Sequence, residues 1–128
     1  MNAGTRINFI ESEPYLEFAV EVFALLADVT RVRIVIALQE GELSVNHLAD
    51  IVDRSPAAVS QHLAKLRAAR VVVTRKDGQR VFYRLANEHS TRLVADAIYQ
   101  AQHANEESPA HHMVKPSLAN VFGESSDA

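Results

Sequence analysis

At Val71 the apolar residues of this chain change period. Upstream, in SPAAVSQHLAKLRAAR, Val59, Leu63 and Leu66 recur at i, i+4 and i+7, which is the spacing of one helix face. Downstream, a β-branched run leads through KDGQ to Val81, Phe82, Tyr83 and Leu85, with Asp77-Gly78 as a hairpin signal. A helix that runs directly into a hairpin narrows the choice of fold, and the segments before it narrow it further.

Ser55 followed by Pro56 reads as an N-cap with proline at the first helical position. Ser44 caps a short amphipathic helix carrying Val45, Leu48, Ala49 and Val52, so two short helices meet at a tight turn. Asp28 caps a mostly apolar helix, Thr30–Leu38, expected to be central and buried, with Gly41 as its breaker. Before it, Tyr15, Phe18, Ala19, Val22, Phe23, Leu25 and Leu26 form an apolar stripe that is wide for so short a helix. Asn87 caps a last helix to about Asn105, with Leu93, Val94, Ala97, Ile98 and Ala101 as its stripe.

The predicted chain is mainly α with a β-hairpin wing: four helices, two strands and a final helix, in the order of a winged helix-turn-helix. Its expected limits are a flexible N-terminus over 1–13, one DNA-binding and dimerisation domain over 14–105, and a flexible His-containing tail over 106–128. Phe18, Val22, Phe23 and Leu26 on the first helix, with Val94, Ile98 and Ala101 on the last, exceed what one small core covers. A homodimer is therefore expected.

Charge is as uneven as hydropathy. Between Arg54 and Arg84 lie eight Lys or Arg residues and one acid, Asp77, a local +7 in a chain of net charge −3, so the remainder carries −10. Polyanion binding depends on where the cations sit, because each neutralised phosphate releases condensed counterions, and double-stranded DNA is the first partner expected. With Val59, Leu63 and Leu66 turned inward, Ala57, Ser60, Gln61 and Lys65 occupy the outer face near the helix start, where a recognition helix meets base edges. Ser60 and Gln61 suit base edges, and Gln can pair adenine bidentately. Arg54, Lys65 and Arg67 are placed for phosphates, as are Arg75, Lys76, Gln79 and Arg80 on the hairpin. With Ser55 at the helix start, these residues make up the expected DNA-facing set.

Cysteine is absent, which excludes disulfides, thiolate metal sites and cysteine nucleophiles. There is no His-Glu-x-x-His and no nucleophile constellation, so an enzyme is not expected. Neither a signal-peptide core nor a membrane-length apolar segment is present, and the expected location is the cytoplasm, with no membrane partner.

Three stretches, LLADVTRVRIVIAL, LSVNHLADIV and SPAAVSQHLAKLRAARVVVTRKDGQRVFYRL, resemble the ArsR/SmtB family of dimeric, metal-responsive transcriptional regulators, over roughly residues 15–105. The resemblance implies a homodimer whose first and last helices pair across a two-fold axis. It also implies that the recognition helices enter successive major grooves of an imperfect palindrome. One departure is Val29, where the family commonly has proline.

Of six histidines, four lie late: His89, His103, His111 and His112. His89 and His103 return to nearly the same helix face but stand roughly 21 Å apart along the axis. One helix cannot bring both to one ion, whereas two copies packed antiparallel across a dyad can, in two equal intersubunit sites. The family's last-helix site has an Asp-x-His near the helix start and two His near its end. Here Asn87 stands at the Asp position and Gln100 at the first late His position. A nearer resemblance is to the nickel- and cobalt-sensing members from actinobacteria, which add a late acid-His pair and a His-His pair in the tail. It implies a site of His89, Gln102, His103, His111 and His112, with Gln102 in place of the acid and Glu106 and Glu107 as nearby carboxylates.

Imidazoles with oxygen donors suit Ni(II) or Co(II), and a tetrahedral His set suits Zn(II); Ni(II) is the first expectation. His47 has no neighbouring acid or thiol, and His62 is expected to touch a phosphate or to pack on the partner helix. The lost ligands leave a second reading open. In it a regulatory protein partner, bound through the first helix or the acidic tail, controls a regulator whose metal site is vestigial.

Overall fold

The structure, a computed structural model, describes residues 6–106. His111, His112 and Glu107 lie outside the described residues, as does all but the first residue of the expected tail. The chain divides into two compact units, one ending at Asn87 and one beginning at Glu88.

The first unit opens with α1 (Phe9–Ser12), a single turn capped by Asn8, whose Oδ1 accepts the Glu11 amide at 3.0 Å. A 3-10 turn (Glu13–Tyr15) leads into α2 (Leu16–Leu26). The described part of residues 1–13 thus contains capped helix, formed because Asn8 satisfies an amide that the first turn leaves unpaired.

α3 (Val29–Leu38) begins one residue before Thr30, with Asp28 Oδ1 accepting the Arg31 amide at 2.9 Å. Its Val, Ile and Thr residues are weak helix formers, so burial has to hold it. Ile34 and Val35 are fully buried and Leu38 nearly so. Gly41, with φ +147, donates its amide to the Leu38 carbonyl at 3.2 Å and turns the chain toward β1 (Leu43–Ser44).

α4 (Val45–Val52) is capped by Ser44 and α5 (Pro56–Ala68) by Ser55, whose Oγ accepts the Ala58 amide at 3.1 Å. The turn between them is made by Asp53 in the left-handed region (φ 57), with the Arg54 amide bonded to the Ala49 carbonyl at 3.1 Å. Asp tolerates that conformation better than most residues, and the resulting C-cap leads the chain from α4 into α5 within three residues.

β2 (Val72–Asp77) and β3 (Arg80–Leu85) pair antiparallel from Val72↔Leu85 to Asp77↔Arg80. Gly78 and Gln79 are therefore the two loop residues, with Asp77 closing the ladder instead of sitting in the turn. Gly78 has φ +67, as a glycine-first hairpin turn requires. The hairpin also gains a strand absent from the expected order: β1 pairs with β3 through Leu43↔Tyr83 and Ser44↔Phe82, giving the sheet order β1-β3-β2.

The core of this unit joins Ile34 and Leu38 of α3, Leu48, Ala49 and Val52 of α4, Val59, Leu63 and Leu66 of α5, and Val72 of β2. Leu25, Leu26, Leu43, Tyr83 and Leu85 pack on its edge. Each large side chain taken from water here contributes on the order of 1.5–3 kcal/mol. The second unit contains α6 (His89–Glu106), which starts two residues after Asn87. Among the described residues no helix is long and apolar enough to cross a membrane.

Candidate nucleic-acid interface and histidine set

On α5 the inward residues Val59, Leu63 and Leu66 are fully buried, while Ala57, Ser60, Gln61 and Lys65 are exposed, as the helical period requires. The side chains that carry hydrogen-bonding groups therefore stand on a helix fixed from behind by the core. Arg54 precedes α5 and is exposed, its guanidinium donating to its neighbour, the Asp53 carbonyl, at 2.9 Å. Ser55 spends its acceptor on the helix cap but keeps a hydroxyl proton to donate. Lys65 and Arg67 lie in the last turn of α5, where positive charge also suits the helix dipole.

Behind α5 lies a polar brace that the sequence pattern did not single out. Arg31 Nε donates to the Leu25 carbonyl at 2.5 Å, and Arg31 Nη1 lies 3.0 Å from His62 Nδ1. His62 is half-buried, and the contact it makes is with Arg31 of α3 instead of the expected packing on α4, the other helix of the turn. Burial pushes the Asp28 carboxyl up, but the hydrogen bond from the Arg31 amide and the charge of the Arg31 guanidinium outweigh it, and Asp28 titrates below the ordinary carboxylate value.

The hairpin's two faces differ. By register, Val72, Thr74, Tyr83 and Leu85 share the core side, while Val73, Arg75, Asp77, Arg80, Phe82 and Arg84 share the other. On that outer face Arg75 and Arg80 both stand over the Phe82 ring, at 5.0 and 5.2 Å from its centroid. Lys76 belongs to the opposite side of the ladder, and Gln79 is at the turn; all four expected wing residues are exposed. Arg75 is also held by Glu42, whose two oxygens accept from its Nε at 3.1 and 3.0 Å and whose Oε1 accepts from Nη2 at 2.6 Å. The Arg75 hydrogen bond holds the Glu42 carboxyl below its ordinary value, and Glu42 raises Arg75 in turn. A phosphate reaching Arg75 meets a guanidinium whose Nε and Nη2 already serve a carboxylate; one reaching Arg80 does not face that fork. Arg84, absent from the expected set, joins the outer face, and the alternation Arg80-Phe82-Arg84 is the signal that marks it.

On α6, His89 is the first residue, and Gln102 and His103 lie in its last turns; all three are exposed. Among the described residues no three His, Cys, Asp or Glu side chains gather to hold an ion. The donor set of imidazole and amide oxygen fits Ni(II), Co(II) or Zn(II) chemically. Within one α6, however, His89 and His103 sit at opposite ends.

Residues 28–74 match the model of the bacterial regulatory protein arsR family. The chain is 52% identical over 102 residues to the HTH-type transcriptional regulator KmtR of Mycobacterium tuberculosis, covering 80% of this chain and 78% of that protein. The chain belongs to the ArsR/SmtB family. It is also 40% identical over 86 residues to the HTH-type transcriptional repressor SmtB of the same species, covering 67% of this chain and 64% of that protein. Among solved structures it resembles the homodimeric winged helix-turn-helix DNA-binding domain from Mycobacterium bovis. That likeness has a TM-score of 0.67 and 26% identity, over 85% of this chain and 97% of that one. As an ArsR/SmtB member the chain is a DNA-binding transcriptional regulator with a winged helix-turn-helix, and it is not an enzyme.

Proposed function

We propose that this chain is a cytoplasmic homodimeric regulator that binds a palindromic operator and whose affinity for it answers to Ni(II), with Co(II) next and Zn(II) third. The observation that carries the DNA-reading half is the exposed row Ala57, Ser60, Gln61 and Lys65 on a helix pinned by Val59, Leu63 and Leu66. Gln61 and Ser60 read base edges; Arg54, Lys65, Arg67, Lys76 and Arg80 hold phosphates, and Arg75 does so after exchanging Glu42.

Dimerisation is supported by the apolar side chains that α2 leaves in water: Phe18 is 64% exposed, Val20 62% and Phe23 59%. Val22 and Leu26, expected in the same interface, are half-buried, and Leu26 packs on the core. The metal reading is supported by the exposed imidazoles of His89 and His103, completed in this proposal by Gln102 and by His111 and His112. When bound, the ion supplies a link between the last helices of two copies. The residues of this chain supply neutral imidazoles and an amide oxygen, and they release protons on binding.

The deciding experiment is titration of the DNA-bound dimer with Ni(II), Co(II) and Zn(II), read by fluorescence anisotropy of a labelled duplex. A severalfold change in affinity with nickel supports the sensor. No change with any of the three metals sinks it, leaving a regulator governed by a protein partner.

A further inference from the structure

Arg31 reaches three helices at once. It belongs to the first turn of α3, its Nε donates to the Leu25 carbonyl in the last turn of α2, and its Nη1 meets His62 Nδ1 on α5 at 3.0 Å. A guanidinium has only donors, so His62 Nδ1 has to be the acceptor, with the ring neutral and its proton on Nε2. His62 follows Gln61 directly, about 100° around the helix, so a rotation of α5 at His62 turns Gln61 through the same angle. Bidentate base contacts depend on donor and acceptor geometry and tolerate little of that movement.

We propose that Arg31 is a positioning residue for base reading: by tying His62 to the Leu25 carbonyl it sets the rotation of the α5 face that carries Ser60 and Gln61. The inference rests on α5 being the base-reading helix. It assigns His62 the contact to Arg31 through Nδ1 and makes no use of the Nε2 proton.

The brace works only with a neutral imidazole, because proton uptake replaces a donor–acceptor pair by two like charges. The charged groups that face His62 are Arg31 and Asp28, both from the start of α3. From α2 the brace meets the Leu25 carbonyl, and the surfaces of α4 and β2 packed into the shared core are apolar, through Leu48, Ala49, Val52 and Val72. Operator discrimination therefore declines toward acid pH, where proton uptake by the ring would set two like charges in contact.

The test uses the full chain with a metal chelator present. Its probes are a duplex that the wild-type protein selects from a random pool and a random duplex of equal length, each titrated at several salt concentrations. Arg31→Met and His62→Ala are expected to lower the ratio of the two affinities by about five- to tenfold at about pH 8, with the random-duplex salt slope unchanged. His62→Asn, whose Oδ1 stands near the place of Nδ1, is expected to keep the ratio and to lose the wild-type decline toward about pH 5.5. If His62→Ala does not fold by circular dichroism, Arg31→Met and His62→Asn carry the test. A salt slope smaller by about one in the Arg31 or His62 variants overturns the proposal in favour of a phosphate contact. An unchanged ratio in Arg31→Met, or a wild-type pH decline in His62→Asn, also overturns it. An unchanged ratio in Gln61→Ala would instead remove α5 as the base reader, separating that failure from failure of the brace.

Discussion

Gln61 and Arg80 are both exposed polar residues of the basic module, yet they differ in what their loss should do. A base-edge contact discriminates by about 1–3 kcal/mol, so Gln61→Ala should bring operator affinity down toward that for random DNA. Arg80→Ala should weaken both by a similar factor and flatten the plot of log affinity against log salt by about one. Arg75→Ala should flatten it less, because in the free protein Glu42 already occupies that guanidinium. Equal loss of specificity in the Gln61 and Arg80 variants would overturn these roles.

Asp28 permits a prediction for stability. Its carboxylate caps α3, and removing an N-cap costs about 1 kcal/mol, so Asp28→Ala should lower unfolding free energy by that amount at neutral pH. The folded protein holds this carboxyl below its unfolded value. The contribution is therefore complete above about pH 4 and lost as pH falls through the lower folded value, so urea melts of the two proteins should converge in acid.

At the scale of elements, α5 ends on an unusual residue. Arg70 adopts φ 63, a left-handed conformation that costs a side chain roughly 1 kcal/mol, and the Val71 amide closes the turn on the Leu66 carbonyl at 2.9 Å. Arg70→Gly should raise the unfolding free energy by about 1 kcal/mol in denaturant melts, through relief of strain at this C-cap. A fall in stability would mean that the Arg70 side chain contributes more than its backbone costs.

The same junction explains what was legible in the sequence. Caps at Asp28, Ser44 and Ser55 and the apolar spacing of α5 were readable because each is a local device whose partners lie within four residues. The left-handed ends at Asp53 and Arg70 were not, since neither is glycine and the conformation is imposed by packing on either side. β1 was missed because two residues carry no period, and its pairing with β3 spans about forty positions of chain. In the interface, the outward residues of α5 followed from the period. The Arg75–Glu42 fork and the Arg31–His62 brace join residues more than thirty positions apart, beyond what spacing reports.

For the whole molecule, the central question is whether the two α6 helices of a dimer act as one sensor. The exposed Phe18, Val20 and Phe23 predict a dimer by sedimentation at micromolar concentration, and a monomer would remove any intersubunit site. If His89 of one protomer and His103 of its partner share an ion, two-fold symmetry makes the sites equal and paired. His89→Ala should then lose nickel affinity in isothermal titration as fully as His103→Ala, whereas a site made by the late residues alone would ignore His89. Imidazole ligands bind as neutral rings, so affinity should fall toward acid pH. Gln102 offers an amide oxygen without charge, and Gln102→Glu should tighten nickel binding by adding a carboxylate. Coupling to DNA is reciprocal: if nickel changes operator affinity by about 1–3 kcal/mol, saturating operator DNA should change nickel affinity by the same factor. Nickel that binds tightly with no such reciprocal change would leave the histidines as ligands without a regulatory role.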